Sequence, residues 1–195
     1  MPRATVVDMT RCPHPPRSAS VVIAALLATA LMTATLTGCG PAAPTPTPTP
    51  TGFASEEEAF AAAEATYRAY VDALNQVDLS DPTTFEEVYR WTTGDANAGA
   101  RELFSEMHAE GLAVSGDSMV QGVSLGEVTA KPLTVRLDVC LDVREVVVSD
   151  SSGASVVDPA RTDVQSLAIT VAESATTTGL AIAAISGREG EPLCE

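Results

Sequence analysis

Residues 133–144 read Leu-Thr-Val-Arg-Leu-Asp-Val-Cys-Leu-Asp-Val-Arg, and this stretch decides the fold. Apolar and polar residues alternate strictly along it, which is the period of a β-strand with one buried face and one wet face. The apolar face carries Leu133, Val135, Leu137, Val139, Leu141 and Val143. The polar face carries Thr134, Arg136, Asp138, Cys140, Asp142 and Arg144. Such a strand predicts an antiparallel sheet whose apolar face is covered by a second layer.

Further strands are predicted on both sides of this stretch. Apolar residues alternate again in residues 167–171, and a run of small aliphatic residues at 180–185 predicts a last strand. Residues 119–125 suggest a weaker first strand through Met119, Val123 and Leu125. After residue 144 the alternation blurs, which indicates a bulge or bend before a turn at 149–153.

The chain before the strands looks helical. Ser55 followed by Glu58 is a capping box, and it predicts a long helix over residues 55–76. Its apolar residues recur at steps of three and four, as on one buried face of a helix. They are Phe60, Ala63, Tyr67, Tyr70, Val71, Leu74 and Val77.

Two shorter helices are predicted to follow. Asp81-Pro82 favours the start of the first, because proline is harmless in an initial helical turn, and Gly94 is predicted to end it. Its buried face is Phe85, Val88 and Tyr89. The next helix is predicted to be capped by Asp95 or Asn97 and to stop at Gly111. Its predicted buried residues are Ala100, Leu103, Phe104 and Met107.

Helices followed by long antiparallel strands predict an α+β domain with the helices on one face of the sheet. This order, the kinked strand, the Cys-Leu-Asp-Val stretch at 140–143 and the cysteine at 194 resemble the nuclear transport factor 2-like superfamily, which includes SnoaL-like proteins and ketosteroid isomerase. The resemblance covers most of residues 53–195 and implies a curved, cystatin-like sheet wrapped as a cone. Two features depart from the family pattern: the last strands lack pocket aromatics, and the polar strand face is charged.

The N-terminal region reads as a secretory signal. Arg11 and Arg17 precede an apolar run over residues 18–36, and small residues close it. Leu36-Thr37-Gly38-Cys39 at this place resembles the lipobox of bacterial lipoproteins. The resemblance implies cleavage before Cys39 and a diacylglyceryl group on its thiol, whose two acyl chains give stable anchoring. The alternative is an ordinary secretory signal with an incidental cysteine.

These features divide the chain into three parts. Residues 1–38 are predicted to be the signal peptide, and residues 39–52 a lipidated cysteine with a Thr-Pro linker of polyproline II type. Residues 53–195 are predicted to form a single domain. We expect the mature chain outside the cytoplasm, held on the outer face of the cell membrane by the lipid on Cys39.

Four cysteines are present, and two of them remain once the signal peptide and the lipid site are set aside. Cys140 and Cys194 would then lie in an oxidising compartment, so a disulfide between them is predicted. It would pin the C-terminal tail to the polar sheet face. Two free buried thiols are the alternative.

Charge disfavours one class of partner. The chain has a formal net charge of −15, and loss of the leader, with three arginines and one aspartate, leaves −17. Such an acidic surface repels phosphate backbones, so we expect no nucleic-acid partner. The remaining partners are an envelope protein or a small apolar ligand in the space between helices and sheet.

No residue pattern predicts catalysis, a metal site or a cofactor. Isomerases of the superfamily use a tyrosine of the first helix with carboxylates of the sheet, and Tyr67 and Tyr70 are the corresponding tyrosines here. Asp138 and Asp142, however, are predicted on the opposite sheet face, which fails the geometry of acid–base catalysis. Tyr67, Tyr70 and Trp91 remain weak candidates for ligand contacts. We therefore expect a non-catalytic interaction or accessory protein, then an apolar-ligand binder, and an isomerase- or cyclase-like enzyme only remotely.

Overall fold

The computed structural model describes residues 52–194. Three α-helices come first: α1 (Glu56–Leu74), α2 (Phe85–Arg90) and α3 (Gly94–Ala109), with a short 3-10 helix at Pro82–Thr84 before α2. Six strands follow: β1 (Ala113–Ser115), β2 (Met119–Ala130), β3 (Leu133–Asp142), β4 (Val147–Ser149), β5 (Val164–Glu173) and β6 (Leu180–Gly187).

The main sheet has four antiparallel strands in the order β2-β3-β5-β6. Strands β1 and β4 form a separate two-stranded sheet. The helices pack on the face of the main sheet that carries the apolar residues of β3. The predicted fold class is therefore confirmed: helices, then an antiparallel sheet, with the helices on one side.

The alternation in β3 produces the core as predicted. Val135, Leu137 and Val139 are completely buried and pack against Tyr67 and Val71 of α1. Side chains of the neighbouring strands complete this layer, because directly paired residues of adjacent strands point to the same side. They include Ile169, Val171, Leu180 and Ile182, all with zero exposure. The space between helices and sheet is thus filled by side chains.

The predicted capping of α1 is confirmed in its main part. The Ser55 hydroxyl accepts a hydrogen bond of 3.2 Å from the Glu58 amide. The carboxylate of Glu58 accepts from the amide of Ala54 at 2.7 Å, one residue before the cap. Both bonds satisfy amides at the start of the helix, where no helical acceptor exists.

The boundary between the second and third helices was predicted wrongly. Gly94 does not end α2: it begins α3, and α2 stops at Arg90. The reason is tertiary pairing, because Ile182 of β6 donates to the carbonyl of Trp91 at 2.8 Å and accepts from the amide of Thr93 at 2.7 Å. Backbone groups held by a strand are not available to a helix.

The predicted cap of α3 is also wrong, since Thr93 and not Asp95 or Asn97 precedes the helix. The side-chain amide of Asn97 instead donates to the Thr92 hydroxyl at 2.8 Å and to the Tyr89 carbonyl at 3.1 Å. Asn97 therefore joins α3 to the end of α2 rather than capping its own helix.

Two strands differ from their predicted form. β3 ends at Asp142 and not at 144, because a turn with a 3.0 Å bond from the Val146 amide to the Val143 carbonyl leads into β4. β2 is longer than predicted, and Met119 and Leu125 are exposed. Its pairing with β3 shifts register twice, at Val120/Gly122 and at Leu125/Glu127, which is typical of β-bulges.

The signal peptide, Cys39 and nearly all of the linker lie outside the described residues and stay predictions. Within residues 52–194, no helix has both the length and the hydrophobicity that a membrane span needs.

Candidate functional site

A groove of about 540 Å³ lies between α1, α3 and β6. We call it the α3–β6 groove. Its main walls are Tyr70 and Leu74 of α1, Asp95, Ala100 and Leu103 of α3, and Ile185 of β6. Leu103 and Ile185 expose 49% and 39% of their surface, although both are large apolar residues next to a filled core.

Leu103 was predicted to be buried, and this prediction is wrong. In α3 only Phe104 is buried, where it packs on Phe85 and Tyr89. Leu103 lies next to Phe104 in α3 and lines the groove, where about half of its surface stays exposed. The groove is thus open because α3 covers β6 only partly.

Ile185 is exposed for a related reason. It pairs with Ile169 of β5, whose side chain is completely buried on the helix-facing side of the sheet. Paired residues share a face, so Ile185 also points to the helix side. It lines the groove opposite α1 and α3, which cover it only partly, so an apolar position of the core layer stays open to solvent.

The backbone of β6 is free beside this groove. Trp91 and Thr93 occupy its outer edge only at Ile182. Further along, the Arg188 amide donates to the Ser166 carbonyl at 2.9 Å. Backbone groups alternate between the two sides of an antiparallel strand, so Ser186 bonds to β5 while Ile185 and Gly187 turn N–H and C=O outward. Among the described residues, none pairs with these outward groups.

The opposite edge of the sheet is built differently. β2 carries two bulges and the charged Glu127, features that keep an edge strand from pairing with other chains. At Gly126 an added Cβ would lie 3.2 Å from the Arg136 carbonyl, so glycine permits the close approach at the second bulge. β6 has one register shift of its own, at Ala183, and residues 184–187 after it contain no charge and no proline. The two edges therefore differ in their capacity to accept another strand.

Acidic residues of α3 lie at the groove and beside it. Asp95 lines the groove, and Glu102 and Glu106 follow it at helical spacing on exposed positions. None of the three forms a salt bridge with a described residue. The nearby Arg101 is occupied elsewhere: its guanidinium lies 3.9 Å from the Tyr89 ring centre, and its Nε donates to Asn97 at 3.0 Å.

The predicted ligand contacts are only partly brought together. Tyr67 and Tyr70 have ring centres 6.1 Å apart, but Tyr67 is buried in the core while Tyr70 lines the groove. Burial raises the pKa of both phenols, to about 12 for Tyr70, so both stay protonated at neutral pH. Trp91 is half-buried and packs against the buried cluster that contains Phe85 and Tyr89, rather than lining the groove.

The sheet carboxylates lie where the alternation predicts, on the face away from the tyrosines. Asp142 accepts from the backbone amide of Arg144 at 3.0 Å, an interaction that holds its pKa below the usual value, and it also pairs with the Arg144 guanidinium at 2.9 Å. Tyr67 and Asp142 therefore do not converge on one space, and this arrangement offers no acid–base pair.

The C-terminal tail lies over part of the polar sheet face, where the predicted pairing of Cys140 with Cys194 places it. The structure joins Cys140 and Cys194, whose Cα atoms lie 5.4 Å apart, within the range for disulfides. The tail folds over Arg188, whose side chain is 4% exposed and donates to the carbonyls of Gly190 at 2.9 Å and Pro192 at 2.6 Å. Its Nε lies 3.7 Å from a carboxylate oxygen of Asp138, so an ion pair sits beneath the tail.

A second opening of about 490 Å³ lies at the start of α1. Phe53, Val128 and Leu133 supply its apolar surface, while Glu56, Lys131 and Glu173 stand around it. It lies at the end of the helix–sheet layer, not inside it, since the interior positions are filled.

Other polar candidates have local structural roles. His108 is exposed, with Nδ1 at 2.7 Å from the Leu79 carbonyl, so it fastens the end of α3 to the loop after α1. The carboxylate of Asp150 accepts from the amides of Ser152 and Ala154, which is turn chemistry. No group of metal-ligating side chains occurs within the described part of the chain.

Comparisons with known proteins find only distant structural likenesses. No protein-family model matches the sequence, and no curated protein matches it. The intermembrane space region of the chloroplast protein ARC6 is similar with a TM-score of 0.46 and 17% identity, covering 66% of this chain and 95% of that one. A putative aromatic ring hydroxylase from Novosphingobium aromaticivorans is similar with a TM-score of 0.46 and 15% identity, over 69% of this chain and 96% of that one. CagV, a VirB8 homolog from Helicobacter pylori, is similar with a TM-score of 0.42 and 10% identity, over 65% of this chain and 95% of that one. We draw no functional conclusion from likenesses of this degree.

The sequence does not predict the α3–β6 groove. The periodicity of α3 places Leu103 beside Phe104 on the apolar stripe, and periodicity does not tell how wide the covered stripe is. One signal was present: the first half of α3 contains Ala96, Gly99 and Ala100, small residues that leave space at a helix surface. The role of Arg188 had no local signal, because its partners become neighbours only through the fold.

Proposed function

We propose that this chain is a lipid-anchored, non-catalytic interaction module on the outer face of the cell membrane, which docks a partner protein in the α3–β6 groove. The observation that carries the proposal is the exposed apolar groove beside a filled core. Leu103 and Ile185 leave large apolar surfaces open, while the interior positions of the same layer have essentially no exposure. Leu103 and Ile185 lie together around one groove with Tyr70 and Leu74, and contiguous exposed apolar surface marks sites of protein interaction.

The location rests on the N-terminal sequence and is supported by the cysteines. The predicted leader and lipobox direct the chain to the envelope, and the pairing of Cys140 with Cys194 suits an oxidising compartment. The Thr-Pro linker would hold the domain off the membrane, so the groove would be accessible to a neighbouring envelope protein.

Native mass spectrometry of the full chain, purified gently from its own envelope, tests the function. We expect the chain to retain a second protein, and to lose it when Leu103→Glu places a charge in the groove. The matched control is Thr129→Glu, an exposed position on β2 at the far edge of the sheet. Retention of the same protein by both variants would contradict docking in the groove.

A second function, binding of a small apolar ligand, is favoured by the cleft at Phe53. Its volume of about 490 Å³ and its apolar residues Val128 and Leu133 fit a small molecule. The same experiment separates the two functions. A retained small mass that is lost on denaturation and on Phe53→Asp, but kept by the Leu103 variant, would identify a ligand carrier.

A further inference from the structure

The open part of β6 combines two features that one partner would satisfy together. Its edge presents unpaired backbone groups at Ile185 and Gly187, and the α3–β6 groove lies directly beside them. An extended chain that lies along the edge would form backbone hydrogen bonds with the N–H and C=O groups of Ile185 and Gly187. Its alternate side chains would point to the helix side, where Leu103 and Ile185 are exposed.

We infer that the partner docks by strand addition: an extended segment with alternating apolar residues and basic ends pairs with β6 at Ile185–Gly187. This inference rests on the proposed function and specifies the partner's chemistry. Strand addition is a recurring mode of recognition in which the backbone gives affinity and pockets for alternate side chains give specificity.

The edge that remains open supports this mode over burial of a helix in the groove. β2 has two bulges and a charge that discourage pairing, whereas the single register shift of β6 lies at Ala183, before residues 184–187, which carry no charge. A helix in the groove would leave the backbone groups of Ile185 and Gly187 without protein partners. A strand satisfies the backbone and the apolar surface at once.

The charge of the site selects basic flanks. Asp95, Glu102 and Glu106 stand along α3 without salt bridges to described residues, and the chain after residue 38 carries −17. A segment with lysine or arginine at its ends would be attracted by this field, and an acidic segment would be repelled. The repulsion between two such acidic surfaces disfavours a second copy of this chain as the occupant.

A defined peptide probe tests the inference on the full acylated chain in detergent micelles. The probe has eight residues, with valine at alternate central positions, serine between them and lysine at both ends. Hydrogen exchange is measured at single amides. We expect bound probe to slow exchange at Ile185 and Gly187 by roughly tenfold or more, because these amides gain acceptors. The same peptide with glutamate ends is expected to bind much more weakly.

Gly187 offers a matched pair of variants. An added Cβ there meets nothing within 4 Å, so Gly187→Ala keeps the outward N–H without a clash. Gly187→Pro removes that N–H, and proline is tolerated where an edge donor faces solvent. We expect Gly187→Ala to bind the probe like the wild type and Gly187→Pro to bind about fivefold more weakly, the effect of one lost hydrogen bond. If the proline variant does not fold, a probe that is N-methylated at alternate residues replaces it, with the same expected loss.

Several results would overturn strand addition. They are the absence of probe binding, equal binding of the acidic peptide, unchanged exchange at Ile185 and Gly187 in the bound state, or equal binding by the two Gly187 variants. If Leu103→Glu still released the native partner, docking in the groove would remain supported despite these results. Strand addition alone would then be wrong.

Discussion

At the scale of single residues, Asn75 is a fastening point that the sequence did not predict. Its side-chain amide donates to the Ser118 carbonyl at 3.0 Å and its carbonyl accepts from the Ser118 amide at 2.9 Å. These two bonds tie the end of α1 to the loop before β2. Among the hydrogen bonds of the described residues, no other side chain joins the end of a helix to the start of a strand in this way.

Asn75→Ala is expected to lower the free energy of unfolding by about 1–3 kcal/mol, since two hydrogen bonds are lost and the Ser118 groups lose their partners. Urea unfolding followed by circular dichroism measures the effect. Asn75→Asp is the matched variant: it keeps the acceptor but sets a carboxylate against the Ser118 carbonyl, so it should also destabilise. A wild-type midpoint in the alanine variant would contradict the assigned role.

Asp142 gives a prediction for pH. Its folded-state pKa lies below the usual ~3.9 of aspartate, because the Arg144 amide, the Arg144 guanidinium and Gln121 favour the charged form. The stability that this lowered pKa contributes is present above the unfolded-state pKa and is lost as pH falls through the folded-state value. The difference in unfolding free energy between wild type and Asp142→Asn should therefore be present at pH 7 and shrink below about pH 4. A difference that is independent of pH would contradict the role of the carboxylate charge.

At the scale of elements, the strand of residues 133–142 was the most predictable part of the fold. Strict alternation fixed which side of β3 would be buried, and Val135, Leu137 and Val139 are completely buried as expected. The helix ends were less predictable. α2 stops at Arg90 because Trp91 and Thr93 pair with β6, a contact with residues some 90 positions further along the chain. Local propensity contains no information about such a partner.

The candidate site follows the same division. The sequence predicted that Tyr67 and Asp142 would lie on opposite sides of the sheet, because that conclusion needs only alternation and helix position. It did not predict the groove, because exposure of Leu103 and Ile185 depends on how far α3 extends over β6. Periodicity identifies the apolar side of an element, whereas coverage is decided by the neighbouring element.

The C-terminal tail is an element held by the disulfide. Cys140 and Cys194 are separated by 54 positions, and closing a loop of that length removes freedom from the unfolded chain worth roughly 4 kcal/mol, as an upper figure. The double variant Cys140→Ala/Cys194→Ala is expected to unfold at a lower urea concentration, because its free energy of unfolding falls by about 2–4 kcal/mol. A mass difference of two hydrogens on reduction of the wild type would establish the bond. Two free thiols in the untreated protein would contradict it.

At the scale of the whole molecule, the lipid on Cys39 is what would bring the domain to the membrane. A chain with a net charge of −17 after the leader is repelled by anionic lipid, so surface attraction does not hold it there. The Thr-Pro linker, at ~3.1 Å per residue, would place the domain some distance from the bilayer.

Cys39→Ser is expected to abolish acylation and to move the chain out of the membrane fraction or leave its leader uncut. Fractionation and the intact mass of the mature chain measure both outcomes. The wild-type mass should correspond to a chain that begins at Cys39 and carries a diacylglyceryl group. Equal membrane association of wild type and Cys39→Ser would contradict the anchor, and a cleaved but unacylated chain would indicate an ordinary secretory signal.

Site-specific photo-crosslinking in the parent cells tests directly whether the α3–β6 groove receives a partner protein. A photoreactive amino acid is placed at Leu103 in the groove and, as control, at the exposed Thr129 on the far edge of the sheet. We expect one defined protein adduct from position 103, which is absent from position 129 and is competed by the basic peptide probe. Equal labelling from both positions, or no adduct from position 103, would contradict docking in the groove.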